Sequence, residues 1–238
     1  MKVYLPALLG LSLLAACSAE KPPAPPRQSD PEAMPAPPVM GQERRIVALG
    51  DSLFTGYGLK DGEGYPARLE AALRARGVNA RIADAGVSGD TSAGGLARLA
   101  FTLDAQATKP DLVLISLGGN DMLRGLPPEQ TRANLDAILG ELGKRGIKAV
   151  LMGMLSPPNL GADYRAQFDP IYPALAKKHG AGLVPFFLQP ITGRPDLVQA
   201  DRIHPTAVGI EAMVAATVDN VAKVLPAAPS SAAPPPPG

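Results

Sequence analysis

Short apolar runs alternate with amphipathic stretches between residues 44 and 225, and this alternation is the main structural signal in the chain. The apolar runs have the length of strands, whereas the stretches between them repeat leucines and valines at helical spacing. The predicted strands are Ile46–Leu49, Arg81–Asp84, Leu112–Ile115, Ala149–Met152 and Leu183–Phe187.

The helical stretches have recognisable boundaries. Gly77 ends the first helix and Pro128 opens another, as glycine after a helix and proline in its first turn commonly do. Pro170 and Pro173 predict irregularity within a later helix, because proline interrupts the hydrogen bonds of a helix interior. The predicted helices are Tyr65–Arg76, a segment with Leu96, Leu99 and Leu103 on one face, a segment from Pro128 through Leu135, Ile138, Leu139 and Leu142, the stretch Tyr164–Lys178, and a segment from about Pro205 to Leu225.

Continuous apolar strands separated by helices predict an α/β fold, with a central parallel five-stranded sheet covered by helices on both faces. Leu183–Phe187 is expected at an edge of the sheet, because Pro185 cannot donate to a neighbouring strand. Ligands of such sheets bind outside the carboxyl ends of the strands. We therefore expect four polar segments to converge there, namely 50–52, 86–90, 118–121 and 201–204.

The N-terminus has the features of an export signal. Lys2 precedes a short apolar run, Val3 to Ala16, which is too short for a comfortable membrane span. The run ends in Leu-Ala-Ala-Cys, which resembles the lipobox of bacterial lipoproteins. That resemblance implies a signal peptide over residues 1–16, lipidation of Cys17 and, with Ser18 following, an outer-membrane anchor facing the periplasm. The alternative is an ordinary cleaved signal with an incidental cysteine.

Two segments outside the predicted domain are rich in proline. Residues 17–43 have few large apolar side chains and no periodicity, so we expect an extended linker that holds the domain away from a membrane. Residues 226–238 consist almost entirely of Pro, Ala and Ser and are predicted to be a disordered tail. Residues 44–225 are left as one domain, which we expect to be monomeric.

Composition excludes several classes of function. The formal net charge is +1, so the chain lacks the basic excess typical of nucleic-acid binding. One cysteine and two histidines exclude an internal disulfide framework and argue against a structural zinc site. This composition gives no reason to expect a metal site, and we expect no organic cofactor either.

Ser52, Asp201 and His204 are the residue types that serine ester hydrolysis requires. Ser52 follows the first predicted strand, where it serves either as a nucleophile or as a helix cap. The segment 54–58 after it is a poor helix start, which weakens the cap alternative. Phe54 occupies the position of the second glycine in Gly-x-Ser-x-Gly, which disfavours a nucleophile elbow. The alternative for Asp201 and His204 is a surface acid and a helix-capping histidine. His179, the other histidine, is expected to be structural at a helix C-terminus.

Asn120 and Gly89 are candidate donors to an oxyanion. A side-chain amide at Asn120 can donate to developing negative charge, and a backbone N–H at Gly89 can do so because glycine permits close approach. Each also suits an ordinary turn. Three aspartates in these segments, Asp51, Asp90 and Asp121, are expected to cap or brace the loops.

Four segments of this chain together resemble the GDSL hydrolases, in particular their SGNH branch. The segments are Gly50-Asp51-Ser52-Leu53, Ser88-Gly89-Asp90-Thr91, Gly118-Gly119-Asn120-Asp121 and Asp201-Arg202-Ile203-His204-Pro205. The resemblance implies a flavodoxin-like three-layer sandwich. It also implies Ser52, Asp201 and His204 as the triad, with the N–H groups of Ser52 and Gly89 and the amide of Asn120 as oxyanion donors.

Within that family the chain is most similar to the bacterial acyl-CoA thioesterase I, lysophospholipase and arylesterase group, as the segments 171–176 and 185–187 indicate. The expected substrates are small esters, thioesters or lysolipids. Arg202 departs from the family, which often has a small residue there. Leu123, Leu126 and Pro157 are candidates for contact with the acyl chain, the alternative being that they only pack the domain. Two other functions remain open, namely deacetylation of envelope carbohydrate and non-catalytic lipid binding by a lipoprotein.

Overall fold

A computed structural model describes residue 39 and residues 41–226, and five strands in this part of the chain form one parallel sheet in the order β2-β1-β3-β4-β5. The segment 1–16, Cys17 and almost all of the predicted linker and tail lie outside the described residues. The strands are β1 Arg44–Gly50, β2 Ala80–Gly86, β3 Leu112–Ser116, β4 Lys148–Met152 and β5 Gly182–Val184.

Helices connect these strands and cover the sheet. Helices α2 and α8 pack against each other, while α5 packs against both α3 and α7. The described α-helices are α1 Ser52–Thr55, α2 Tyr65–Ala75, α3 Ser92–Asp104, α4 Gly119–Leu123, α5 Pro128–Lys144, α6 Ala162–Phe168, α7 Ile171–His179 and α8 Ala207–Val224, with short 3₁₀ turns at Pro158–Leu160, Gln189–Ile191 and Pro195–Leu197. The predicted α/β class and central parallel sheet are therefore confirmed.

The order of the strands determines where a site can form. The chain leaves β1 towards β2 on one side and later enters β3 on the other side of β1. Loops after β1 and β3 therefore diverge and leave a crevice at the carboxyl edge of the sheet. The side chains of β3 are fully buried, which explains why this strand has no polar alternation in the sequence.

Two predicted elements differ from the structure at prolines. The helix expected over Tyr164–Lys178 is two helices, because Pro170 follows the end of α6 and caps α7. Pro173 causes no irregularity, since it is the third residue of α7, where an N–H has no partner within the helix. The last strand lies at the sheet edge as predicted, but it ends at Val184, because Pro185 has no N–H to continue the pairing.

An aromatic cluster anchors the segment after β1. The ring of Phe54 stacks on that of Tyr65 at 5.5 Å between centroids, and Phe187 meets Tyr65 edge to face at 4.7 Å. All three side chains are fully buried. Packing of Phe54 therefore holds helix α1 against the domain core.

Candidate active site

Ser52 is the first residue of α1, directly beyond the carboxyl end of β1. The cap of this helix is Asp51, whose carboxylate accepts the N–H of Leu53 at 3.0 Å. The sequence 54–58 was expected to start a helix poorly, but a one-turn helix forms because Asp51 satisfies its N-terminus. It ends at Gly56, which adopts a left-handed conformation with φ of 67°. Ser52 is therefore not the cap, and its hydroxyl is available for another partner.

That partner is His204, although 152 residues separate the two along the chain. Nε2 of His204 lies 2.8 Å from Oγ of Ser52, and Nδ1 lies 2.6 Å from Oδ2 of Asp201. A hydroxyl, an imidazole and a carboxylate thus form one continuous hydrogen-bonded chain. This arrangement can remove a proton from Ser52 and stabilise the resulting imidazolium.

Asp201 is held as an anion by the turn in which it lies. Its Oδ1 accepts the N–H groups of Ile203 and His204, at 2.9 and 3.0 Å, while Oδ2 accepts from the imidazole. These hydrogen bonds, with that from the His204 N–H the largest contribution, lower the pKa of Asp201 to about 2. Arg202 adopts φ of 61° in this turn, a conformation that a residue without a Cβ adopts more easily. This conformation gives a backbone reason for the small residue that the GDSL hydrolases often have at this position.

Asn120 lies in α4, directly beyond β3, and faces the segment that carries Ser52. Its Nδ2 donates to Oδ2 of Asp51 at 3.2 Å and to the carbonyl of Asp90 at 3.0 Å. The amide therefore joins the loops after β1, β2 and β3. Within the described residues, the backbone N–H groups of Ser52 and Gly89 have no hydrogen-bond acceptor. These two N–H groups can donate to an incoming oxygen without losing a bond.

The backbone conformation at position 89 gives a further reason for glycine there. A Cβ there would meet only the Arg124 guanidinium at 3.6 Å, so space is not limiting. The residue instead has φ of 83°, which side chains disfavour. The carbonyl of Gly89 accepts from Arg124 at 2.7 Å, which ties this turn to the loop that follows Asn120.

The three aspartates brace the site as expected. Asp90 pairs with Arg98 at 2.7 Å, and Arg98 also donates to the carbonyl of Gly50 at the end of β1. Asp121 is buried and accepts from both the N–H and the hydroxyl of Ser92.

Asp51 directly precedes Ser52 in the chain and is buried. Burial raises the pKa of Asp51 to about 6, against the lowering effects of the Leu53 N–H, the His204 charge and the Asn120 amide.

Two residues that the motifs did not identify contact the His204 segment. The ring of Tyr57 lies 4.5 Å from the imidazole of His204, centroid to centroid, with 35° between the planes. The side-chain amide of Gln199 donates to the backbone carbonyls of Tyr57 and Pro205. An aromatic residue between two glycines shortly after Ser52 was the available signal for Tyr57. For Gln199 the signal was its position two residues before Asp201, which is weak by itself.

The candidates for acyl-chain contact lie in different surroundings. Leu123 ends α4, three residues after Asn120, and the residue is 60% exposed. Leu126 is half-buried, and its carbonyl accepts from the hydroxyl of Tyr164 at 3.1 Å. Pro157 is exposed and precedes the 3₁₀ turn after β4. Leu123 is thus available for a ligand beside the site rather than being part of the core.

His179 lies away from this site, at the end of α7. Its Nε2 is 2.5 Å from Oδ1 of Asp136, and Lys178 pairs with the same carboxylate. The described residues contain no group of three or more His, Cys, Asp or Glu side chains placed to hold a metal ion. None of the described helices is both long enough and apolar enough to cross a membrane.

Comparison with known proteins gives consistent results for most of the described domain. The family model of the GDSL-like lipases/acylhydrolases matches residues 48–212. Esterase TesA of Pseudomonas aeruginosa is 42% identical over 160 residues, which cover 67% of this chain and 79% of that protein. The thioesterase 1/protease 1/lysophospholipase L1 of Escherichia coli is 39% identical over 160 residues, covering 67% of this chain and 74% of that protein.

Solved structures extend the likeness to the fold. AlinE4, an SGNH-hydrolase family esterase, is 60% identical with a TM-score of 0.67, covering 79% of this chain and all of AlinE4. A crystal structure of TesA gives a TM-score of 0.72 at 37% identity, with 76% of this chain and all of that one covered.

Proposed function

This chain belongs to the GDSL-like lipase/acylhydrolase family, and we propose that it hydrolyses carboxylic esters and thioesters through an acyl-enzyme on Ser52. The single observation that carries the proposal is the 2.8 Å contact between Ser52 Oγ and His204 Nε2, with Nδ1 of the same ring 2.6 Å from Asp201. A serine without an adjacent base is a weak nucleophile, and this contact supplies the base.

In the first half of the reaction Ser52 Oγ attacks the carbonyl carbon while His204 accepts the hydroxyl proton. The carbonyl oxygen becomes an oxyanion, which receives hydrogen bonds from the free N–H groups of Ser52 and Gly89. The Asn120 amide becomes the third donor when one of its two hydrogens leaves Asp51 or the Asp90 carbonyl for the oxyanion. Collapse of this intermediate breaks the bond to the leaving alcohol or thiol. His204 returns its proton to that group, and the acyl moiety stays on Ser52.

Water then hydrolyses the acyl-enzyme by the same kind of steps, with water in place of Ser52 as the nucleophile. His204 removes a proton from water as the water oxygen attacks the acyl carbon, and the second oxyanion forms among the same donors. Its collapse releases the carboxylic acid and returns the proton to Ser52 Oγ. Asp201 keeps its negative charge throughout and balances the positive imidazole in each half-reaction.

The proposed substrates are small esters, thioesters and lysolipids. Relatives of this chain are named esterase, arylesterase and thioesterase/lysophospholipase, which supports this range. Exposed Leu123 lies beside Asn120 and is proposed to contact the acyl chain, together with Leu126 and Pro157.

The reaction is tested with a fluorophosphonate probe and a series of p-nitrophenyl esters from acetyl to long chains. The chain has two histidines, so His179→Gln is a matched control for His204→Gln. We expect Ser52→Ala and His204→Gln to abolish labelling and turnover, with His179→Gln close to wild type. Absence of labelling in the wild type, or labelling of Ser52→Ala, contradicts the mechanism. A sharp preference for acetyl esters favours a deacetylase instead.

We also propose that Cys17 carries a lipid that anchors the protein in the outer membrane, facing the periplasm. The lipobox-like sequence ending at Cys17 and the proline-rich segment after it support this location. Cys17→Ser is expected to move the protein from the membrane fraction to the soluble fraction of the envelope. Equal membrane retention of wild type and Cys17→Ser contradicts lipid anchoring through this residue.

A further inference from the structure

Gln199 forms an unusual set of hydrogen bonds beside the proposed triad. Its side-chain Nε2 donates to the carbonyl of Tyr57 at 2.7 Å and to the carbonyl of Pro205 at 2.9 Å. Its backbone N–H donates to the carbonyl of His204, also at 2.7 Å. Both hydrogens of the amide are thus used on backbone groups, and we call this arrangement the Gln199 clamp.

The two carbonyls that the amide joins belong to the segments that carry Ser52 and His204. Tyr57 follows α1, and its N–H donates to the carbonyl of Ser52 at 3.3 Å. Pro205 directly follows His204 in the chain. The clamp therefore connects, through one rigid side-chain amide, two segments whose hydroxyl and imidazole must stay within hydrogen-bond distance.

The backbone around Tyr57 is shaped to receive the Gln199 side chain. Gly58 has φ of 74°, and a Cβ at this position would lie 2.4 Å from Oε1 of Gln199. Only glycine leaves room for the amide at its observed position. The same segment places the ring of Tyr57 on the imidazole of His204, at 4.5 Å between centroids.

We propose that Gln199 is a positioning residue, which fixes the separation and the ring orientation of His204 relative to Ser52 by holding their segments together. The proposal rests on the serine-hydrolase function above. Proton transfer requires the donor and acceptor within hydrogen-bond distance, and a displacement of about 1 Å can cost on the order of 100-fold in rate. Loss of the clamp therefore acts on the chemical step rather than on substrate binding.

The first test compares Gln199→Ala and Gln199→Glu with Gln106→Ala. Gln106 is a matched control, because its Nε2 donates to a single backbone carbonyl within α3, that of Thr102. We expect both Gln199 variants to lose at least tenfold in kcat and in the rate of fluorophosphonate labelling, with KM within about twofold. Gln199→Glu fills the same space but places a carboxylate acceptor against both carbonyls, so it should lose at least as much activity as Gln199→Ala.

A proton NMR spectrum separates repositioning from loss of structure. The hydrogen bond between Asp201 and His204 lies within a single turn, so its low-field proton should persist in Gln199→Ala at a changed chemical shift. If this resonance disappears in a folded variant, the loss of activity is due to collapse of the turn that contains Asp201 and His204, and the proposal is overturned.

Gly58→Ala approaches the clamp from the opposite side, without altering Gln199. It should lower kcat in the wild type and have a smaller further effect in Gln199→Ala, because the contact with Oε1 is already absent there and only the strain of a side chain at φ of 74° remains. Full additivity contradicts the proposal, as does a wild-type kcat in Gln199→Ala. If the wild-type protein itself neither hydrolyses esters nor labels, the serine-hydrolase function has failed, which is a different result.

Discussion

Asn120 donates its side-chain amide to the buried carboxylate of Asp51 at 3.2 Å, which links the loop after β3 to the segment after β1. A proposed oxyanion donor is therefore held by an acid whose own pKa is raised to about 6 by burial. This relationship leads to a prediction about stability.

Asp51→Asn is expected to stabilise the fold in a pH-dependent manner. The pKa of Asp51 rises from its ordinary 3.8 to about 6 on folding, so the native state binds more protons between these values and loses stability as the pH rises. A shift of one pKa unit corresponds to about 1.4 kcal/mol. Removing the charge should therefore raise the free energy of unfolding by about 3 kcal/mol at pH 8 and by almost nothing below pH 4. Urea unfolding of wild type and Asp51→Asn at pH 4 and pH 8 measures this difference in the free energy of unfolding.

The matched control is Asp61→Asn, since Asp61 is exposed in the loop before α2. It should change stability little at either pH. A gain for Asp51→Asn that is equal at pH 4 and pH 8, or a loss at pH 8, would show that burial does not oppose ionisation at this position.

Asp201→Asn should reduce kcat without unfolding the protein. The carboxylate orients the imidazole and balances its charge, and removing that role typically costs on the order of 10⁴-fold in kcat. Asp196→Asn, five positions earlier, removes only an exposed pair with Arg194 and should retain activity. Retention of more than a tenth of wild-type kcat by Asp201→Asn would contradict the assigned role.

The lowered pKa of Asp201 also bears on the pH profile. A pKa of about 2 means that this carboxylate stays ionised above pH 4, and that the stability it contributes is lost only as the pH falls from about 4 through 2. Any acid limb of kcat/KM above pH 4 therefore comes from a group other than Asp201, and the pH profile of Asp51→Asn shows whether that group is Asp51, whose pKa is raised to about 6.

Gly209→Ala should destabilise the domain, whereas Gly140→Ala should not. A Cβ at Gly209 would lie 2.2 Å from the carbonyl oxygen of Leu197, on the segment that leads to the triad turn. Overpacking of this kind costs about 1–3 kcal/mol. At Gly140, within α5, a Cβ meets nothing within 4 Å, and alanine should add about 0.5–1 kcal/mol. Thermal unfolding of both variants checks the contrast, and equal effects would refute it.

Tyr65→Phe and Thr217→Val should have unequal and non-additive effects. The Tyr65 hydroxyl lies 2.7 Å from Oγ1 of Thr217, which itself donates to the carbonyl of Met213. Tyr65→Phe loses one hydrogen bond, about 1 kcal/mol, whereas Thr217→Val leaves a buried phenol without an acceptor, which costs about 1–3 kcal/mol. The double variant should be more stable than the sum predicts, and strict additivity in urea unfolding would contradict this account.

Much of the fold was predictable because its signals are local. Leu112–Ile115 has no polar alternation since both faces of β3 are covered, and Gly77 follows the end of α2 in a left-handed conformation, as glycine readily does. The prediction failed where a neighbouring element decides the outcome. The sequence 54–58 contains a poor helix start, yet α1 forms because Asp51 caps it and Phe54 packs on Tyr65.

The sequence by itself determined the fold class, the order of the elements and the residues available for chemistry, since apolar periodicity and motif spacing are properties of the chain alone. Only the tertiary structure decided which groups meet. The contact of His204 with Ser52 spans 152 residues, and that of Gln199 with Tyr57 spans 142. Such distances depend on how strands and loops pack, and local propensity carries no information about them.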